Sequence, residues 1–291
     1  MTRRTATSIG FIAVLLWALL ALFTIGTAPV PPFQLNAMTF AVGGTIGLGW
    51  VTATNGWPRL RTVPLHVYIL GTIGLFGYHA LYFSALRLAP PAEASLIAYL
   101  WPLFIVLFSG LLPGERLGLL HILGALIAFA GAALLIAPDA NGFTGGAGLI
   151  LAGLCALTWS GYSVLSRSFG AVPTDSVAVF CILTALLSVP LHLMLEQTQW
   201  PADALGWSAV LALGLGPVGL AFYVWDVGVK AGDIQLLGVA SYAAPLLSTL
   251  ILVIVGVASA SLTLLLAAAL IAGGAGLAAY GSARAQRSAP R

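Results

Sequence analysis

Aromatic and imidazole side chains that can form hydrogen bonds recur at helical spacing in this sequence. Tyr78, His79 and Tyr82 lie in one short stretch, and spacings of three and four residues place them on one broad helix face. Histidine as a residue type has a reference pKa near neutrality, and tyrosine hydroxyls both donate and accept hydrogen bonds. Such a face suits binding of a partly polar aromatic solute, and no evident carboxylate partner completes an acid–base catalytic set.

A second aromatic face is formed by Trp159, Tyr162 and Ser163, again at helical spacing. Trp17 aligns with Trp159 when the first half of the chain is compared with the second. Interfacial or core packing of the rings, and hydrogen bonding of serines between helices, remain open alternatives. The candidate substrate-binding residues are Trp17, Tyr78, His79, Tyr82, Tyr99, Trp101, Trp159, Tyr162, Ser163 and Tyr242.

Two prolines interrupt apolar runs near their middle. Pro102 and Pro245 each remove a backbone donor, which predicts free carbonyls at Ala98 and Ser241. In one interpretation the prolines act in gating and the freed carbonyls receive an ammonium group of a substrate. In the other each proline only kinks its helix.

The elements that position these side chains are predicted from composition. Hydrophobic residues make up 60% of the chain and charged residues 7%, and runs of about twenty apolar residues match the helix length that crosses a bilayer. Continuous runs exclude a barrel, whose strands would alternate. The first run loosely resembles a signal peptide, but keeping it gives equal halves. The predicted spans are 5–27, 33–53, 64–87, 91–112, 117–137, 146–168, 174–195, 204–229, 234–256 and 260–281.

The chain resembles itself at one ungapped shift, the shift that carries Pro102 onto Pro245. The other pairs aligned by this shift are Gly71 with Gly214, Tyr82 with Trp225, Arg87 with Lys230, Tyr99 with Tyr242 and Gly131 with Gly274. This predicts two five-helix repeats, residues 1–140 and 141–291, and an odd helix number makes them inverted. We expect an all-α integral membrane protein in which spans one, three, four, six, eight and nine surround a cavity, with spans five and ten peripheral.

The basic residues predict the orientation, because Lys and Arg favour the cytoplasmic side of short loops. With both termini cytoplasmic, Arg87 alone lies outside, together with the acidic Asp139, Glu196 and Asp203. The basic residues placed inside are Arg3, Arg4, Arg59, Arg61, Arg116, Arg167, Lys230, Arg284, Arg287 and Arg291. We therefore expect a multi-pass protein of the cytoplasmic (inner) membrane, and the excess of positive charge reflects topology rather than nucleic-acid binding.

Sequence motifs resemble a known family. Trp101-Pro102 in the fourth span, Pro113 to Arg116 before the fifth, and the two five-helix halves resemble the EamA repeat of the drug/metabolite transporter superfamily. The stretches 77–82 and 95–102 are similar to those of YddG-type aromatic amino-acid exporters. The resemblance implies export of aromatic amino acids. In this family an acidic residue often opens the last helix of each repeat. Glu115 is that residue in the first repeat, where we expect it to stabilise a helix N-terminus, whereas the second repeat departs from the pattern with Ala258-Ser259.

The near absence of deep charge narrows the substrate class. Without a deep carboxylate there is no counter-ion for a permanent cation, whereas a zwitterion carries both charges and its ring stacks on aromatic walls. Asp226, four residues before Lys230, is interpreted as a local ion pair, and Cys155 and Cys181 as core residues. His79 is a candidate for proton coupling or for contact with a substrate carboxylate, with a structural histidine as the alternative.

These observations predict a secondary exporter that works by alternating access on a small-molecule substrate. We expect no cofactor, since the sequence contains no Walker A motif, metal-ligand cluster or Cys-X-X-Cys. A threonine/homoserine, metabolite or drug exporter of the same superfamily is one alternative, and a membrane-embedded enzyme or a channel is another. The lipid bilayer is the expected surrounding, and a monomer is compatible with the sequence.

Overall fold

The computed structural model describes residues 1–115, 117–136 and 146–287, with side chains described as far as residue 284, and every regular element in these ranges is helical. Nine of the described helices are long and apolar enough to cross a membrane. With one further long helix, α2, the order is α1 (Arg3–Gly26), α2 (Pro32–Ala53), α3 (Leu65–Leu88), α4 (Pro91–Ser109), α5 (Leu119–Ile136), α6 (Gly146–Ser168), α7 (Ser176–Leu195), α8 (Ala204–Ala231), α9 (Ile234–Ile254) and α10 (Leu262–Arg287).

The bounds follow the predicted spans closely. Arg116, Asp139, Arg291 and the predicted repeat boundary at residue 140 lie outside the described residues, as does the side chain of Arg287. Cys155 and Cys181 are free and buried, as predicted.

Helix α2 is not among the nine because it carries several polar and small residues, and its polar residues face the protein. It has 22 residues, and Gln34, Asn36 and Thr39 are all buried. The Asn36 side-chain amide donates to the Ser188 hydroxyl of α7 over 2.7 Å. Buried polar groups require such partners in an apolar environment, so the low hydropathy of α2 reflects contact with α7.

Two helices contain a short π-helical segment at corresponding places. Ile73–Gly77 interrupts α3 and Gly216–Leu220 interrupts α8, and the shift that carries Pro102 onto Pro245 also carries the first segment onto the second. Pro217 lies in the second segment and lacks the N–H that regular α-helical bonding would use. The local structure therefore follows the same internal repeat as the sequence.

Helices α4 and α9 are each interrupted just before their proline. The helical hydrogen bonding of α4 stops at Tyr99 and Leu100, before Pro102, and that of α9 stops at Ser241 and Tyr242, before Pro245. The carbonyl of Ser241 accepts a hydrogen bond from the Ala244 amide over 3.1 Å. The prediction of a free carbonyl at Ser241 was therefore wrong, because the chain tightens into a turn there.

Helices α5 and α10 pack against each other along their length. A β-carbon placed on Gly124 of α5 would lie 2.6 Å from the carbonyl oxygen of Gly274 in α10, which is closer than real contacts allow. Only glycine permits this approach. The close approach of α5 and α10 therefore depends on glycine at these two positions, and the pair lies outside the ring of helices described next.

Candidate functional site

A cavity of about 250 Å³ lies in the middle of the bundle. Six helices line it, α1, α3, α4, α6, α8 and α9, so the predicted arrangement of helices around a cavity is confirmed. Its volume exceeds the roughly 150 Å³ of an apolar cavity that holds one benzene molecule. The wall is formed by Trp17, Leu20, Ala21, Tyr78, His79, Tyr82, Ala98, Tyr99, Trp101, Trp159, Pro217, Val218, Phe222, Ala244, Pro245 and Ser248.

Seven of the ten predicted binding residues lie on this wall, together with Pro245. Tyr162, Ser163, Tyr242 and Pro102 do not. The seven are Trp17, Tyr78, His79, Tyr82, Tyr99, Trp101 and Trp159.

Four tryptophans form a cluster at one end of the cavity, and Trp17 is at its centre. The Trp17 ring lies 5.9 Å from Trp101, 6.0 Å from Trp159 and 5.1 Å from Trp225, measured between centroids. These separations suit edge-to-face aromatic contact. The Trp17 indole N–H donates to the carbonyl of Pro217 over 3.1 Å, which ties α1 to the π-helical segment of α8. We call Trp17, Trp101, Trp159 and Trp225 the tryptophan cluster.

Ser163 and Tyr162 support this cluster from behind. The Ser163 hydroxyl accepts the indole N–H of Trp225 over 3.1 Å, so it orients a ring instead of facing the cavity. Tyr162 is 3% exposed, and its ring packs 5.3 Å from Trp159 and 6.4 Å from Phe180. Tyr162 therefore packs behind the wall residue Trp159, and Ser163 orients Trp225, which belongs to the tryptophan cluster but does not line the cavity.

Tyr242 closes the interruption of α4. Its hydroxyl accepts a hydrogen bond from the Leu103 amide over 3.1 Å. In an unbroken helix that amide would donate to the carbonyl of Tyr99, and the turn removes this partner. The Tyr242 ring also lies 6.1 Å from the ring of Tyr99. Tyr242 thus caps the second part of α4 and positions Tyr99 on the wall.

His79 is held by the backbone of its own helix. Its Nδ1 lies 2.7 Å from the carbonyl oxygen of Leu75, in the π-helical segment of α3. A carbonyl only accepts, so Nδ1 carries the proton and the Nε2 of neutral His79 keeps its lone pair. Donation from Nε2 to a carboxylate would require the imidazolium form. A carboxylate contact is one of the roles that the sequence suggests for His79, and in this tautomer Nε2 accepts a hydrogen bond instead of donating one.

The cavity wall carries polar groups but no formal charge. None of the described residues that line it is Asp, Glu, Lys or Arg. The Tyr82 hydroxyl is hydrogen-bonded to that of Ser95 at 3.0 Å. Asp226 lies outside the cavity, where it pairs with Lys230 over 2.8 Å and accepts from Thr174 over 2.7 Å. The local ion pair predicted for Asp226 is confirmed.

A charged cluster joins the helices at the end of the bundle where α1 begins. Arg3 lies 3.1 Å from Glu115 and 3.6 Å from Asp233, and Glu115 also pairs with Arg167. Arg167 further donates to the carbonyls of Val229 and Gly232, each over 2.9 Å. We call Arg3, Glu115, Arg167 and Asp233 the charged cluster. The contacts of Glu115 are thus ion pairs between helices, and the sequence predicted only a role at a helix N-terminus.

Sequence reasoning missed part of the wall and the whole charged cluster. Phe222 lines the cavity and is the residue that the internal repeat aligns with His79, so the repeat alone points to it. Val218 and Ser248 resemble ordinary span residues and carry no such signal. Glu115 and Arg167 are 52 residues apart in the chain, and only the packing of α6 against the end of α4 brings them together.

The comparisons with known proteins agree with this architecture. The sequence profile of the EamA-like transporter family matches residues 5–137 and again residues 146–280. The aromatic amino acid exporter YddG of Ancylobacter novellus is 53% identical over 96% of this chain and 98% of its own length. The YddG exporter of Escherichia coli is 26% identical over 94% of this chain and 96% of its own length.

A solved crystal structure shows the same fold. It superposes with a TM-score of 0.92 at 53% sequence identity, and the match covers 97% of this chain and 99% of that one. Both relatives are named as exporters, and neither name describes an enzyme. The two profile matches together cover most of the sequence. The chain is therefore a multi-pass membrane protein that belongs to the EamA-like transporter family.

Proposed function

We propose that this protein exports aromatic amino acids across the cytoplasmic (inner) membrane as a secondary transporter. The observation that carries the proposal is the cavity at the centre of the bundle, whose wall combines indole and phenol rings with polar groups and no charged residue. Aromatic walls stack on an aromatic side chain, and a zwitterion brings both of its charges with it. The 53% identity to an exporter named for aromatic amino acids supports the same substrate class.

We propose ten membrane spans arranged as two inverted repeats, residues 1–140 and 141–291. Nine helices meet the length and composition of a span, and α2, with 22 residues, is the tenth. The two profile matches, 5–137 and 146–280, support one repeat in each half. The π-helical segments at 73–77 and 216–220 support the same internal symmetry. Inverted repeats of this kind exchange conformations and so give alternating access.

Both termini lie in the cytoplasm in this proposal, because of the distribution of Lys and Arg. The charged cluster then closes the cytoplasmic end. Along α1, Trp17 separates Arg3 from the cavity residues Leu20 and Ala21, so the cavity lies on the outer side of the tryptophan cluster. With this orientation we infer a state that is closed towards the cytoplasm. Pro102 and Pro245, at the interruptions of α4 and α9, are the proposed points of bending.

A single chain carries every residue of the cavity wall, so we propose that one monomer holds a complete substrate path. The bound molecule crosses without covalent change, which agrees with the names of the relatives.

The test is transport by purified protein in liposomes. Vesicles loaded with unlabelled phenylalanine should take up labelled phenylalanine by saturable counterflow, and threonine and homoserine should compete weakly. Imposed proton and sodium gradients identify the driving ion. Linear, non-saturable flux would indicate a channel, chemical conversion of the substrate would indicate an enzyme, and preference for threonine would replace the substrate class.

A further inference from the structure

The hydrogen bond of His79 sets which atom of the ring is left for a ligand. Nδ1 donates to the Leu75 carbonyl over 2.7 Å, and the imidazole edge therefore offers a lone pair at Nε2. The ring is held among aromatic neighbours, 5.0 Å from Phe40 and 6.3 Å from Phe222 between centroids. Its orientation is thus fixed by both the backbone and the packing.

The tyrosine hydroxyls on the same wall can donate hydrogen bonds to a ligand. In the part of the chain that the structure describes, the Tyr78 and Tyr99 hydroxyls have no hydrogen-bond partner, while that of Tyr82 pairs with Ser95. A phenol donates readily to a carboxylate, whereas an ammonium group only donates and needs an acceptor. No carboxylate on the wall supplies that acceptor. The lone pair of the His79 imidazole supplies one, and an imidazole nitrogen is a stronger acceptor than the phenol oxygens on this wall.

The rings around His79 favour a positive group at this place. Tyr78 lies 5.1 Å from the imidazole between centroids, and the tryptophan cluster lies next to it, with Tyr78 5.6 Å from Trp159. Ring faces attract an ammonium within about 6 Å, and the attraction strengthens when water is excluded. The wall therefore offers an acceptor, His79 Nε2, among aromatic rings that attract a cation. It also offers two phenol donors, the hydroxyls of Tyr78 and Tyr99.

We propose that His79 is the specificity-determining acceptor for the α-ammonium group of the substrate, with the Tyr78 and Tyr99 hydroxyls donating to its carboxylate. This inference rests on the proposed export of aromatic amino acids. Nε2 of His79 accepts one N–H of the ammonium in a charge-assisted hydrogen bond, and no proton is transferred. Ligands that lack the amine lose this contact, and ligands that lack the carboxylate keep it.

The test measures binding of three ligands to purified protein by titration calorimetry. The ligands are phenylalanine, 2-phenylethylamine, which has no carboxylate, and 3-phenylpropanoate, which has no amine. His79→Phe keeps a ring and removes the lone pair, His79→Gln keeps an acceptor oxygen, and His121→Gln is the matched control. His121 is buried outside the cavity, where its Nε2 pairs with the Ser282 hydroxyl over 3.1 Å.

In His79→Phe we expect phenylalanine and 2-phenylethylamine to bind at least tenfold more weakly, which corresponds to about 1.4 kcal/mol. The affinity for 3-phenylpropanoate should change less than twofold. His79→Gln should retain more affinity for 2-phenylethylamine than His79→Phe, and His121→Gln should bind all three ligands as the wild type does. The Gln variant also gives the answer if the Phe variant does not fold.

Weaker binding of 3-phenylpropanoate alone would assign His79 to the carboxylate and overturn the inference. Equal weakening of all three ligands would make His79 a packing residue. Phenylalanine counterflow by the wild type separates this question from the proposed function. Absence of counterflow refutes the function, whereas normal counterflow with an unselective His79→Phe effect refutes only the ammonium assignment.

Discussion

Replacing Tyr242 with Phe tests whether the interruption of α4 is held from α9. The change removes one oxygen atom, the acceptor for the Leu103 amide at 3.1 Å, and keeps the ring that packs against Tyr99 and Phe129. Tyr242 is fully buried, so water cannot replace the lost acceptor. Leaving a buried donor without a partner costs about 1–3 kcal/mol. At roughly 2–4 °C per kcal/mol, the melting temperature should fall by several degrees.

The matched control is Tyr99→Phe. The Tyr99 hydroxyl lies at the cavity and bonds to no described residue, so its removal should leave the melting temperature within about 1 °C of the wild type. It should instead weaken phenylalanine binding. Thermal unfolding of both variants in the same detergent makes the comparison. Equal melting temperatures for Tyr242→Phe and the wild type would refute the capping role.

Three further changes separate substrate contacts from structural ones. Trp101→Ala should reduce counterflow of aromatic amino acids more than that of small ones, because a stacking contact contributes about 0.5–1.5 kcal/mol beyond buried area. Equal loss for every substrate would instead mean a role in folding or gating. Glu115→Gln should lower the melting temperature and reduce flux of all substrates by one common factor, since it removes the carboxylate that pairs with Arg3 and Arg167. The cost should stay below that of a fully buried ion pair, about 3–5 kcal/mol, because Arg3 is 41% exposed. A change in substrate preference would contradict this. Gly124→Ala should destabilise the contact of α5 with α10 by about 1–3 kcal/mol, whereas Gly276→Ala, where an added β-carbon meets nothing within 4 Å, should not. Similar melting temperatures for the two glycine variants would contradict the close approach.

The helices and the cavity could be predicted because membrane solvation leaves few alternatives. Every backbone group must bond within its own span, so apolar runs and prolines define the elements directly. The placement of Trp17, Tyr78 and Trp159 on the wall follows from depth and helical period. The internal repeat supplied the pairing of the helices around the cavity, and it extends to Phe222, which it aligns with His79.

The remaining part of the site depends on contacts that have no local signal. Ser163 has the spacing of a wall residue, yet its hydroxyl faces Trp225 because α8 packs against that side of α6. Tyr242 aligns with Tyr99 in the internal repeat, but the two have different roles, since only Tyr242 meets a free amide. Rotation of a helix by part of a turn decides whether such a side chain faces the cavity or a neighbouring helix. The π-helical segments of α3 and α8 change that rotation, and Pro217 in α8 is the one local signal for them that this structure explains.

The role of His79 shows the same limit. Its type and depth indicated a functional residue, but which ring nitrogen carries the proton depends on the 2.7 Å contact with Leu75. That contact arises where α3 changes its hydrogen-bond pattern. A residue's chemistry was therefore predictable, and its direction of hydrogen bonding was not.

Photolabelling tests most directly whether the aromatic cavity is the substrate site, because it locates the bound substrate. Purified protein is irradiated with 4-azidophenylalanine, and the labelled peptides are mapped by mass spectrometry. We predict label on the parts of α1, α3 and α4 that carry Trp17, Tyr78 and Trp101, with loss of label when excess phenylalanine is present. Label confined to the lipid-facing surface, or label that phenylalanine does not displace, would contradict the claim that the aromatic cavity is the substrate site.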